Sequence, residues 1–130
     1  MSAKSKGISA EREIIHMFWN TNDWAACRVA GSGSIKYPAV DVLAGKHGRK
    51  LAIECKSVGT GSLFFSREDL GQLIEFSDRF GAEPWVAVRF DRIGWYFFPV
   101  NAVMELGSGR SFNIENASTY GISFDEILKS

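Results

Sequence analysis

The order of apolar runs and turn signals in these 130 residues predicts an α/β fold with a central mixed five-stranded sheet flanked by helices. Three observations carry this. Two stretches have helical spacing of apolar residues and capping signals at their ends. Polar, Gly-containing or charged turns divide four apolar runs into two hairpins. A further apolar run precedes the first hairpin, giving the order α-β-β-β-α-β-β.

Residues 1–7 read as a polar, mobile arm carrying Lys4 and Lys6. The first helix is expected from about Ser9 to Asn20, with Ser9 as N-cap and Ile8 as staple. Its apolar face contains Ile14, Ile15 and Phe18. At about 100° per residue, Glu11 falls in the middle of that face and Glu13 nearly opposite. A carboxylate among core-facing side chains needs a reason. Three are open for Glu11: a buried partner such as an arginine, fraying of the first turn, or membership of an acidic cluster with Asp41 and Glu54.

Residues 24–30 read as a strand, followed by Gly31-Ser32-Gly33-Ser34 and then Lys36. Such a stretch is either a plain connector or a loop that brings amides and hydroxyls to a phosphate. It has no Walker lysine, which excludes a nucleotide P-loop and a nucleotide cofactor. Residues 39–45 and 50–57 form the first hairpin. Ser66-Arg67-Glu68-Asp69 has capping-box spacing and opens a second helix, which Gly81 ends. Leu70, Leu73, Ile74 and Ser77 share one face of it. Phe76 and Phe80 lie on a neighbouring stripe, as core or as a contact patch. Residues 85–90 and 93–98 form the second hairpin around Asp91-Arg92. Residues 99–121 look irregular apart from a short helix at 101–105, and a terminal helix is expected over 124–128.

Composition sets the bounds. The length suits one domain, residues 1–130. No apolar run approaches a membrane span, and the first residues lack a signal-peptide pattern, so the expected compartment is the cytoplasm, at the nucleoid or in a host cell. Cys27 and Cys55 read as buried free thiols in a reducing environment, and the two isolated histidines leave no zinc site. Formal net charge is zero, low for a nucleic-acid binder. The distribution is uneven, however. Residues 28–56 carry Arg28, Lys36, Lys46, Arg49, Lys50 and Lys56 against only Asp41 and Glu54.

Those two acids lie in the pattern Asp-x(12)-Glu-x-Lys across the first hairpin. If His47 and Gly48 are the loop residues, Ala44 faces Leu51 and Asp41 faces Glu54. Opposed residues share a sheet face, and Glu54 and Lys56 share it by the two-residue alternation. Asp41, Glu54 and Lys56 then converge, while Leu51, Ile53 and Cys55 point to the other face. Two carboxylates suit a hard divalent cation, and a nearby lysine orients water and offsets phosphate charge.

Six blocks in order complete the pattern: Lys6-Gly7-x-x-Ala10-Glu11-Arg12-Glu13, Arg28-Val29-Ala30-Gly31-Ser32, Asp41-Val42-x-Ala44-Gly45, Ile53-Glu54-Cys55-Lys56, Gly71-Gln72-Leu73-Ile74-Glu75-Phe76 and Phe80-Gly81. Together they resemble the archaeal-type Holliday junction resolvases of the PD-(D/E)-x-K nuclease superfamily, from about Lys6 to Phe98. The resemblance implies a restriction-endonuclease-like fold and a homodimer that cuts four-way junction DNA by paired, metal-dependent nicks. It implies Glu11, Asp41, Glu54 and Lys56 as catalytic residues, with Ser32, or next Ser34, as the loop serine. It implies Mg²⁺, with Mn²⁺ as substitute, on Asp41, Glu54, the Cys55 carbonyl and Glu11. DNA contacts are expected from Lys4, Lys6, Arg12, Arg28, Ser32, Ser34 and Lys36, and a dimer contact from Phe76 and Phe80. A sliding clamp or recombinase is a candidate recruiter. The rival readings are a superfamily nuclease acting on duplex or flap DNA, a non-catalytic branched-DNA-binding subunit, and a scaffold dimer.

Overall fold

The computed structural model describes residues 3–30, 36–59, 65–105 and 114–130, the side chains of 3–6 and 114–116 excepted. Ser32 and Ser34 lie outside these residues. The elements are α1 (Ala3–Trp19), β1 (Ala25–Arg28), β2 (Val42–Lys46), β3 (Arg49–Val58), α2 (Arg67–Phe80), β4 (Glu83–Phe90), β5 (Gly94–Pro99), α3 (Val100–Glu105), α4 (Ile114–Tyr120) and α5 (Phe124–Lys129). The five strands form one sheet in chain order. Neighbours are antiparallel except β3 and β4, which are parallel and joined through α2. The mixed five-stranded sheet flanked by helices is therefore as expected.

The first hairpin has the register that its turn composition dictates. Ala44 faces Leu51 and Val42 faces Ile53, with Gly48 at φ 84° in the turn. That left-handed conformation is one a side chain resists and glycine adopts freely. Alternation then sorts the sheet into two cores. Ile14, Phe18, Val42, Leu51, Ile53, Cys55, Phe97 and Ile127 pack on the α1 and α5 face. Val40, Ala52, Val58, Leu70, Leu73, Val86, Val88 and Phe98 pack on the α2 face. Phe18, Phe97 and Phe98 are fully buried, and truncating any of them to alanine costs about 3–5 kcal/mol.

Helix α2 starts and stops on local signals. The Ser66 hydroxyl accepts from the Asp69 N–H, and Gly81 at φ 83° returns its own N–H to the Ser77 carbonyl. Leu70, Leu73 and Ser77 are buried, as the periodicity requires.

Four expectations need correction. Residues 3–7 are not an arm: the backbone is helical from Ala3, so Ser9 is not an N-cap. Ala3, Lys4 and Lys6 are good helix formers and extend the helix before its first buried residue, Ala10. Cys27 is exposed, not buried. It lies on the edge strand β1, on the face opposite Arg28, where α2 does not reach. Glu13, placed opposite the apolar face, reaches β4 and β5 and accepts from Arg89 at 2.6 Å and Trp95 Nε1 at 2.9 Å. Part of the irregular segment is helical, as α4, which buries Ala117 beside the α2-face core.

Candidate active site

The site forms where β2 begins and β3 continues past it. Asp41 precedes β2 by one residue, and its backbone is held from both sides. Its N–H donates to the Ile53 carbonyl at 3.2 Å, and its carbonyl accepts from the Val29 N–H at 2.9 Å. Extending the hairpin register by one residue sets Asp41 opposite Glu54. The Asp41 carboxylate also accepts from the Cys55 N–H at 2.8 Å. Alternate residues of a strand turn their N–H and C=O groups to the same side. The Cys55 carbonyl therefore faces the side on which Asp41 lies.

Electrostatics record how tightly the acids are grouped. Glu54 is pushed up to about 9, first by burial, then by its hydrogen bond to Asp41 and by the Asp41 charge, against the pull of Lys56. Asp69, in the first turn of α2, adds to the rise. Glu11 is raised by burial and by Asp41, although Arg28 opposes the shift. Burial raises the Cys55 thiol, and the charges of Asp41, Glu11 and Glu54 raise it further. Three acids thus act on one buried thiol, which stays protonated and is no nucleophile.

Two of the three explanations for Glu11 hold, and fraying of the first turn does not, since α1 starts at Ala3. Glu11 has an arginine partner, Arg28, whose Nε donates to Glu11 Oε1 at 2.9 Å. It also lies close enough to Asp41 to feel its charge. Lys56 stands two residues beyond Glu54 on β3, within electrostatic reach of it. Arg12 and Lys36 are exposed, and Lys4 and Lys6 belong to the first turns of α1. Phe76 and Phe80 stack at 5.3 Å between centroids, seven and eleven residues along α2 from Asp69. At 1.5 Å per residue they lie about 10–17 Å along the helix axis from Asp69.

Among the described residues no three His, Cys, Asp or Glu side chains form a ready cation site. Glu11 is turned to Arg28, leaving Asp41 and Glu54 as the paired carboxylates. The donor chemistry nevertheless suits a hard cation. Two hydrogen-bonded carboxylates with one pushed towards neutrality need a proton or a cation between them. A main-chain carbonyl on the same side and water can complete the ligand set of Mg²⁺.

Sequence reasoning missed Asp69 and the Glu13–Arg89–Trp95 cluster. The capping signal placed Asp69 at a helix start, but nothing local brought that start to Glu54. Glu13 and its partners are separated by 76 and 82 residues.

Comparison with known proteins gives the family. The family model described as archaeal Holliday junction resolvase (Hjc) matches residues 2–130. The chain belongs to the Hjc family. It is 37% identical over 125 residues to crossover junction endodeoxyribonuclease Hjc of Archaeoglobus fulgidus, covering 95% of this chain and 90% of that one. It is 32% identical to the Hjc of Methanocaldococcus jannaschii, covering 95% of this chain and 86% of the other. The solved structure of A. fulgidus Hjc, a Holliday junction resolvase, superposes with a TM-score of 0.83 at 33% identity, covering 92% of this chain and 95% of that one. A bacterial homing endonuclease shares the fold, with a TM-score of 0.64 at 18% identity and coverage of 98% and 92%. The Hjc fold is thus restriction-endonuclease-like. No helix among the described residues is long and apolar enough to cross a membrane.

Proposed function

We propose that this protein is a junction-resolving endonuclease that nicks opposing strands of four-way DNA near the branch point in a Mg²⁺-dependent reaction. The observation that carries the reading is the meeting of Asp41 and Glu54 across the β2–β3 register, with Lys56 one alternation further on, in a chain of the Hjc family.

Asp41, Glu54 and the Cys55 carbonyl are the proposed holders of the cation, with Mn²⁺ as substitute. When bound there, the cation supplies Lewis acidity and charge neutralisation at a phosphate. The chain's own residues do the remainder. Lys56 orients the attacking water and offsets charge that develops on the phosphate. Arg28, one-third exposed, is placed to meet a phosphate oxygen while keeping Glu11 in position. Glu11 positions water or extends the ligand set. Arg12 and Lys36 offer exposed positive charge for backbone contacts, which position DNA without reading its sequence.

Paired nicks require two sites related by two-fold symmetry. The proposed dimer face centres on Phe76 and Phe80. Phe80 is 49% exposed and Tyr37 is 74% exposed, and both line a groove of about 490 Å³ with Pro38, Phe76 and Arg79. An adjoining apolar hollow of about 300 Å³ includes Trp19, Cys27, Leu43 and Phe80. Aromatic side chains exposed together in this way are characteristic of a protein interface.

The test is a denaturing-gel cleavage assay on an immobile four-way junction, each strand labelled in turn, with and without Mg²⁺, beside Glu54→Gln. Symmetric nicks near the branch point, absent from linear duplex and from the variant, are expected. Equal cutting of duplex would favour a general or flap nuclease. Tight junction binding without cutting would favour a binding subunit.

A further inference from the structure

We infer that the β4–β5 turn, Asp91–Gly94, is a separate DNA contact, in which Arg92 takes a backbone phosphate and Ile93 packs on base pairs left unstacked at the branch point. The inference rests on the junction-nuclease reading above.

The turn stands at the end of the sheet where parallel β3 and β4 both finish. The Asp91 N–H donates to the Val58 carbonyl at 2.9 Å, two residues past Lys56 on β3. Val88 lies opposite Lys56, and Arg92 follows four residues later. At about 3.3 Å per residue, Phe90, which ends β4 opposite Gly94, lies about 7 Å beyond the level of Lys56, and the turn residues 91–93 stand past it. A DNA strand advances about 3.4 Å per nucleotide, so the tip meets backbone about two to four steps from a phosphate held at the acids.

Arg92 is an unexpected residue for its backbone. Its φ is 67°, a left-handed conformation suited to Gly or Asn and resisted by longer side chains. Turn geometry alone therefore favours glycine at this position. The arginine head is exposed and has no partner among the described residues, so no contact within them accounts for it. Observed backbone strain of this kind is a pointer to function.

Ile93 follows with 56% of its surface exposed. It is not loosely held, since its N–H donates to the Phe90 carbonyl at 3.0 Å. The hairpin beneath is stiff. Phe90 and Tyr96 pack edge-to-face at 6.0 Å, and Glu13 holds both Arg89 and Trp95 from α1. A firmly mounted apolar tip beside a cation is what a branched duplex accepts, since apolar wedges enter base steps that are already weakly stacked.

The test compares Arg92→Gly and Ile93→Ser in the full chain. Binding to a four-way junction and to linear duplex is measured over a range of salt, on a Glu54→Gln background that does not cut. The parent chain's cleavage of the junction is measured first. Arg92→Gly is expected to melt no lower than its parent, yet bind the junction about 3–10-fold more weakly at 0.1 M salt, with a log–log salt slope shallower by about 0.9 for each protomer bound. Ile93→Ser is expected to halve, roughly, the fluorescence rise of a 2-aminopurine beside the branch point, the mark of a lost wedge.

An unchanged affinity and slope for Arg92→Gly would overturn the phosphate contact. An unchanged 2-aminopurine signal, or an equal loss on duplex, would overturn the wedge. A parent chain that leaves junctions uncut would overturn the nuclease reading, and this inference with it.

Discussion

Arg28 on β1 donates to Glu11 on α1 at 2.9 Å, joining the acid in the middle of the apolar face of α1 to a cation at the sheet edge. The pair is one-third and one-sixth exposed, so its direct worth to the fold is small, below about 1 kcal/mol. Its value lies in orientation. Arg28→Ala should slow junction cleavage by about 10²-fold at saturating DNA, the scale of a misplaced catalytic group. It should also lift the acid limb of the pH–rate profile, because Glu11 loses the partner that lowers its pKa. A single-turnover pH series checks both. A lost melting transition with no displaced limb would mark Arg28 as merely structural.

The Asp41–Glu54 pair makes stability depend on pH in an unusual direction. Glu54 starts from 4.5 and is pushed up to about 9 in the fold. A raised acid binds its proton more tightly when folded, so that contribution is full below the unfolded value and lost as pH rises through the folded one. In chelator, the melting temperature should fall between about pH 4.5 and 9. Glu54→Gln should flatten this slope, and added Mg²⁺ should offset it most at the alkaline end. Thermal melts across pH, with and without the cation, decide the matter. A flat wild-type profile in chelator would contradict the shared-proton geometry.

The exposed face of α2 gives an assembly prediction. Phe80→Glu places a charge in the groove beside Tyr37 and Arg79. Sedimentation should show a dimer for the parent and a monomer for the variant. Junction products should shift from paired to single nicks. An unchanged sedimentation coefficient would remove Phe80 from the interface.

Ser77 offers a stabilising substitution. Its hydroxyl is buried beneath α2 without a hydrogen-bond partner among the described residues, and such a group carries an unreturned desolvation cost. Ser77→Ala removes that cost and improves helix propensity. The gain should be about 1 kcal/mol by urea unfolding, with cleavage unchanged. A loss of stability would mean that the hydroxyl is satisfied in solution.

The most legible part of the chain was the first hairpin. A polar Gly turn between two apolar runs leaves one register that keeps Leu51 and Ile53 inside, and that register carries Asp41 to Glu54. Glu11 was legible for a similar reason, since helical spacing put it among core residues and forced the question of its partner. What escaped was non-local. Cys27 is exposed because of where α2 stops covering the sheet, which its strand-like surroundings do not reveal. Asp69 and Glu13 reach their partners only after distant elements pack. The start of α1 escaped because Lys4 and Lys6 fit an arm and a helix equally well.

Arg49 has a consequence for timing. From the hairpin turn it forks onto Glu83 at 2.7 and 3.0 Å, the Ile127 carbonyl at 2.5 Å and the Ser130 hydroxyl at 3.0 Å. Ile127 is fully buried in the α1-face core. During synthesis, α1 can cover its own part of that face, but the part that Ile127 fills stays uncovered until α5 leaves the ribosome, because loop closure over 78 residues precedes its reward. The hairpin that carries the acids is thus made early and fastened late. Pulse-labelled hydrogen exchange should find β2 and β3 protected before α5. A nascent chain would then carry the parts of a DNA-cutting site for seconds before it has a stable fold to use them.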